Sequence, residues 1–268
     1  MSVSKHKNQT THMITAEYNL TQKLYANGEK KIIYHSYSSL KGYGSRRGKS
    51  SAPLPPDKTS REYQKKKNLY RAKCNIVDLI YHNSLIKPWE YFVTLTFDPK
   101  EVNSFNYDDV SSAIVKWLDN MKHQNPNMAY VMTPELHKSG RVHWHGVFRD
   151  VPKWVLIPAR YKSGSFIYKN GMQIFNLANY KYGFTTVSKI KNQEAVSVYV
   201  SKYITKDLIE KKFKKRYWVS RNLERPSVEY AMVTEDELKI FLDTHKIKKI
   251  HTKKTDRSCS YYVNLDIA

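Results

Sequence analysis

Two histidines two residues apart, His143 and His145, stand in the run RVHWHGVF, whose composition and alternation read as a β-strand. Residues i and i+2 of a strand project from one face, so the two imidazoles form a bidentate platform for a metal ion. The preceding run MAYVMTPEL also reads as a strand, and the polar link HKSG joins the two into a hairpin. A hairpin symmetrical about Ser139 sets Glu135 opposite His143. Two imidazoles and one carboxylate with open coordination positions make a set that Mg²⁺, Mn²⁺ or Zn²⁺ accepts. Taken alone, the histidine pair is better explained as solvent-facing alternation; the carboxylate in register favours the metal site.

A second group lies downstream, in EAVSVYVSKYITKDL. On a helix turning 100° per residue, Tyr203 falls about 40° from Tyr199, and Lys202 and Lys206 lie on the same arc. Val196, Val200 and Ile204 form the adjoining apolar stripe, which would seat the helix on a sheet with both phenols at its surface. A phenol with a pKa near 10 is a poor nucleophile at neutral pH and needs cationic neighbours or a polarised electrophile. Lys202 and Lys206, each three residues after a tyrosine, would supply part of that. One Tyr-Lys pair would read as the edge of an amphipathic helix, whereas the doubling YxxKYxxK points to paired nucleophiles.

These groups need a scaffold, and the chain offers one. YFVTLTF (91–97) is rich in β-branched and aromatic residues and reads as a buried strand. Thr94 and Thr96 alternate on it, either supporting the site or the nucleic acid, or as ordinary strand residues. Residues 61–85 and 108–123 carry apolar residues at helical intervals, the second with Asp108 and Asp109 in its first turn. Short strands are expected at 155–157 and 182–187, then a helix from about 192 to 212 capped by Asn192. RYWVS reads as a strand, EDELKIFLDTH as a short helix, and a basic tail follows. Pro134 cannot donate to a ladder, so its strand should be an edge or terminate there. Residues 1–60, polar and broken by glycines and prolines, read as a loosely ordered basic arm. GYGSRRGKS in that arm fails the spacing of a phosphate-binding loop, and SSAPLPP follows where a helix would be required.

Composition narrows the partner. The 268 residues include 46 Lys and Arg against 24 Asp and Glu, a net charge of +22, which calls for a polyanion. The charge is uneven: residues 88–150, with the best strands, hold a slight acidic excess between basic flanks. Twenty-one Tyr, 9 Phe and 5 Trp interleave with the lysines, suiting a groove that tracks phosphates and stacks exposed bases of a single strand. Cys74 and Cys259 form no framework or zinc motif, which fits a reducing cytoplasm and removes the cysteine pair a zinc deaminase needs. No run approaches 18 apolar residues and the first residues lack a secretory apolar core, so neither membrane spanning nor secretion is expected.

FVTLTF, HWHGVF and YVSKYITK, in that order, resemble the three motifs of HUH endonucleases of the replication-initiator (Rep) type. The two-tyrosine motif is similar to that of initiators of microvirus-like single-stranded DNA phages and of some rolling-circle plasmids. The resemblance spans about residues 88–225 and takes in RYWVSRNLERP. It implies an α+β fold with a central antiparallel sheet of about five strands and flanking helices, forming an endonuclease domain over 61–225. A C-terminal extension with a short helix and basic tail would follow over 226–268. It further implies that Glu135, His143 and His145 bind Mg²⁺ or Mn²⁺, and that Tyr199 and Tyr203 are nucleophiles assisted by Lys202 and Lys206. Thr94, Thr96 and Arg141 are candidate DNA contacts. The activity implied is nicking and rejoining of single-stranded origin DNA through a 5′-phosphotyrosyl intermediate. Host helicase and polymerase would be partners, in the cytoplasm of a bacterial host. The alternatives are a relaxase or single-strand transposase of the same superfamily, and a non-catalytic single-stranded DNA-binding or packaging protein.

Overall fold

A computed structural model describes residues 16–41, 58–204, 216–245, 247–255 and 258–265. The chain divides into two compact units: residues 57–226, which hold every candidate site residue, and the two flanks, which form one unit together.

The central unit is built on a seven-stranded antiparallel sheet. Its strands are β3 (Tyr91–Leu95), β4 (Ala129–Leu136), β5 (Val142–Arg149), β6 (Leu156–Pro158), β9 (Phe175–Leu177), β10 (Thr185–Lys189) and β11 (Trp218–Val219), in the order β11-β4-β5-β3-β10-β9-β6. The expected five strands become seven because two- and three-residue pieces, too short to show periodicity, extend the sheet at its edges. A two-residue hairpin, β7 (Tyr168–Lys169) and β8 (Met172–Gln173), stands apart from it. Beyond Met132, β4 has no outer neighbour among the described residues, since β11 pairs only with Val131 and Met132. Pro134 falls on that open edge, where its missing N–H costs nothing.

Helices cover both faces. α2 (Tyr107–Gln124) starts at Asn106, whose side chain accepts from the Asp108 N–H, and buries Val110, Ile114, Trp117, Leu118 and Met121. These pack on Val93, Leu95, Trp144 and Phe148 from alternate positions of β3 and β5. α1 (Lys58–Ile86) and α3 (Gln193–Ser201) take the other face, where Ile76, Ile80, Val196 and Val200 meet Ala129, Val131 and Val147. Arg149, buried, ties the end of α1 to the sheet by donating to the carbonyls of Asn83 (2.8 Å) and Lys87 (2.7 Å). Gly146 is required where β5 crosses β4: a Cβ there would lie 2.2 Å from the Val131 carbonyl oxygen.

In the flanking unit, residues 16–41 are not a loose arm. They form β1 (Ala16–Leu24) and β2 (Lys30–Lys41), joined to β12 (Ser227–Ala231), β13 (Ile247–Thr255) and β14 (Ser258–Leu265) in a sheet ordered β12-β1-β2-β14-β13. The basic tail likewise folds into the β13–β14 hairpin. Asn19 donates to the Val233 carbonyl (2.7 Å) and accepts from the Val233 N–H (2.9 Å), closing β1 onto the start of α4 (Glu235–Thr244). Thr234 and Glu237 form a capping box at that helix. The GYGSRRGKS segment lies outside the described residues.

Candidate active site

Alternation along three adjacent strands decides what shares the α1–α3 face: Thr133 and Glu135 on β4, His143 and His145 on β5, Phe92 and Thr94 on β3. The register pairs Glu135 with His143, as hairpin symmetry predicts, and pairs His145 with both Thr133 and Thr94.

His145 is buried and held at both ring nitrogens. Nε2 lies 2.7 Å from Glu135 Oε2 and Nδ1 lies 3.1 Å from Thr94 Oγ1. Burial lowers its pKa from 6.5 to about 4, so the ring is neutral at pH 7 and the contact with Glu135 is a hydrogen bond rather than an ion pair. A carboxylate can only accept, so Nε2 carries the proton and Nδ1 accepts from the Thr94 hydroxyl. His143 is half-buried and stacks on His137, with centroids 4.9 Å apart and planes 7° from parallel. Burial first, then His137 and His145 beside it, hold His143 below the usual imidazole range.

α3 is fixed by two devices. Asn192 caps it, accepting from the Ala195 N–H (2.8 Å), as the sequence predicts. Gln193 both donates to and accepts from the backbone of Trp89, each at 2.9 Å. The helix ends at Ser201, and a turn carries Tyr203. Val196, Val200 and Ile204 are buried, as the helical wheel requires, which leaves Tyr199 42% exposed and Tyr203 half-buried at the sheet surface. The Tyr203 hydroxyl donates to Tyr199 Oη at 2.8 Å. Its ring stacks on His145, centroids 3.8 Å apart. Burial, then the bond to Tyr199, push the Tyr203 phenol well above its usual pKa. Lys202 Nζ stands 5.2 Å from the centroid of the Tyr199 ring. Lys206, with the expected helix beyond 204, lies outside the described residues.

Glu135, His143, His145, Tyr199 and Tyr203 thus gather on one face, with Thr94 braced against His145. Thr96 and Arg141 are engaged elsewhere. The Thr96 hydroxyl donates to the Phe184 carbonyl at 2.9 Å, and the exposed Arg141 guanidinium lies 5.5 Å from the Phe105 ring centroid. Two members of the cluster escaped the sequence reading. Phe92 packs edge-on against Tyr199 at 5.3 Å and lies 6.2 Å from both Tyr203 and His145. His137 stacks on His143. Alternation carried the signal for both: Phe92 is two residues before Thr94, and His137 two after Glu135.

Among the described residues, no group of three or more His, Cys, Asp or Glu stands in metal-ligating geometry. The donor chemistry nevertheless fits a divalent cation: a carboxylate, and two imidazoles that burial keeps unprotonated. The buried Thr133 hydroxyl, paired in register with His145, has no hydrogen-bond partner among the described residues.

An antiparallel sheet with a tyrosine-bearing helix laid across a His-Glu face defines the class of site. Residues 90–208, a little under half of the chain, match the model of the ORF2-type replication-associated protein family. The matched stretch runs from the start of β3 through α3 and includes every site residue named above. This segment is similar to replication-associated proteins. No curated protein and no solved structure matches the chain significantly.

Proposed function

We propose that this chain is a rolling-circle replication initiator that nicks single-stranded origin DNA by tyrosine transesterification and rejoins the strands. One observation carries the reading: two phenols 2.8 Å apart, the inner one stacked on a histidine that is bonded to a carboxylate. The similarity of residues 90–208 to replication-associated proteins supports it and makes DNA the partner.

In this mechanism Tyr199, the more exposed phenol, attacks the scissile phosphorus. Its Oη forms the new P–O bond, the P–O3′ bond breaks, and the phenolic proton ends on the released 3′-oxygen. Tyr203, donating to Tyr199 Oη, stabilises charge there as the proton leaves. Lys202 adds a cation beside the same ring. The released 3′-OH is free for a polymerase to extend, and the 5′-phosphotyrosyl bond conserves the energy needed for rejoining, so no nucleotide triphosphate is consumed. Tyr203 is the second nucleophile, able to cut again while Tyr199 is occupied. Glu135, His143 and His145 are the residues that would hold Mg²⁺ or Mn²⁺, which when bound contributes Lewis-acid polarisation of the phosphate. Thr94 keeps the His145 ring oriented.

The test mixes the protein with labelled single-stranded DNA of its own replicon, with Mn²⁺ or with EDTA, and looks for a covalent adduct on a denaturing gel. An adduct that requires metal and vanishes in the Tyr199→Phe/Tyr203→Phe double variant is expected. Binding without an adduct favours the second reading, a non-catalytic single-stranded DNA-binding module. That reading draws on the Glu135 carboxylate already being satisfied by His145.

A further inference from the structure

Beside the tyrosines the central unit carries an open cavity of about 910 Å³ that extends from Tyr203 across β10 and the outer side of α3 to the β7–β8 hairpin. Four lysines line it: Lys169, Lys189, Lys191 and Lys202. No acidic residue lies among the residues that line it. Asn170 and Gly171, at φ +52° and +70°, make the tight turn that presents Lys169 and Asn170 there. The rest of the wall is apolar, with Met172 and Ile174 on one side and Val196, Val198 and Tyr199 of α3 on the other. Val198 is 51% exposed, although it sits on a nine-residue helix whose opposite face packs into the core. An apolar side chain held open to solvent, flanked by uncompensated ammonium groups, suits a ligand that brings flat apolar surface and negative charge together.

We propose that this cavity seats the unpaired strand segment adjoining the scissile phosphate, with one unstacked base against Met172, Val198 and the Tyr199 ring and the neighbouring phosphates on Lys189 and Lys191. The occupant rests on the single-stranded DNA reading of the site and extends it with a base-binding subsite. Lysine charges hold the backbone without regard to sequence, while the apolar wall distinguishes a base from its absence. Duplex DNA, with its bases stacked inside, cannot use that wall. The cavity thereby selects unpaired over paired substrate.

Fluorescence anisotropy with a short labelled single-stranded oligonucleotide of the replicon tests this, in the Tyr199→Phe/Tyr203→Phe background so that no cleavage intervenes. Lys189→Ala and Lys191→Ala are each expected to weaken binding several-fold and to flatten the salt dependence by about 0.7 in log–log slope, as loss of one phosphate contact to a single strand does. Lys116→Ala, on α2 at the opposite sheet face, should leave both quantities unchanged. Scanning an abasic residue along the oligonucleotide should reveal one position that weakens binding to the Met172 protein but makes no further difference to a Met172→Glu variant. Both lysine variants alter exposed side chains, so they test the subsite even if Met172→Glu fails to fold. Unchanged affinity in both lysine variants, or an equal loss in Lys116→Ala, overturns the proposal. Missing adduct with these binding effects intact would instead sink the nicking chemistry and leave the subsite standing.

Discussion

Tyr203 lies flat against His145, with ring centroids 3.8 Å apart and planes 11° from parallel, while its hydroxyl reaches Tyr199. The stack joins the tyrosine helix to the histidine strand side chain to side chain. It also makes the two phenols unequal: one is packed and donating, the other exposed and accepting.

That inequality predicts an order of use. Tyr199→Phe should abolish the first adduct. Tyr203→Phe keeps the stack and removes only the donated hydrogen bond, so it should retain an adduct at a rate lowered roughly tenfold, the equivalent of about 1.4 kcal/mol. Mass spectrometry of the DNA-linked peptide identifies the residue, and a first adduct on Tyr203 in the unaltered protein reverses the order.

Replacing His143 and His145 together by Ala should abolish metal-dependent cleavage while leaving salt-sensitive DNA binding, because the lysines lie on other residues. Gel-based nicking and anisotropy on the same preparation separate the two. Undiminished nicking would remove the metal assignment.

Stability should depend on pH through His145. Its pKa in the folded protein is near 4, below the ordinary 6.5, so between these values the unfolded chain binds a proton that the folded chain refuses. The contribution is fully present above about pH 6.5 and is lost as the pH falls toward 4, on the order of a few kcal/mol. His82 and His143, also lowered by burial, act in the same direction. Thermal melts in EDTA from pH 7.5 to 4.5 should show Tm falling, and less steeply in His145→Gln. Equal slopes would contradict the assignment.

Gly146→Ala should cost at least about 2 kcal/mol, since the added methyl meets backbone rather than a side chain that can swing away. Urea unfolding measures it. A near-neutral result would mean that β4 and β5 can separate without loss.

Much of the site could be read from residue order because its determinants are local. Glu135 and His143 are eight residues apart on one hairpin, and period-two alternation suffices to place them together. The α3 wheel needs only the helical period, and its N-cap only one side chain. What could not be read depends on distant pairing. Leu20 pairs with Ala231 and Tyr34 with Tyr261, and nothing in the polar β1–β2 segment says that partners wait two hundred residues on. The flank therefore looked unstructured. Phe92 and His137 were missed for a different reason: each had an ordinary role, core aromatic and turn residue, that concealed its place beside the site.

The interleaved flanking sheet imposes an order on synthesis. β1 and β2 emerge first, but β12, β13 and β14 belong to the last stretch of chain, so their sheet can close only after the whole central unit has been made. The tyrosine-bearing unit has all its strands by Val219 and can fold while the earliest strands still lack partners. A ribosome stalled before Ser227 would thus present a folded histidine-tyrosine face, attached to a two-stranded ribbon whose edges are open for pairing.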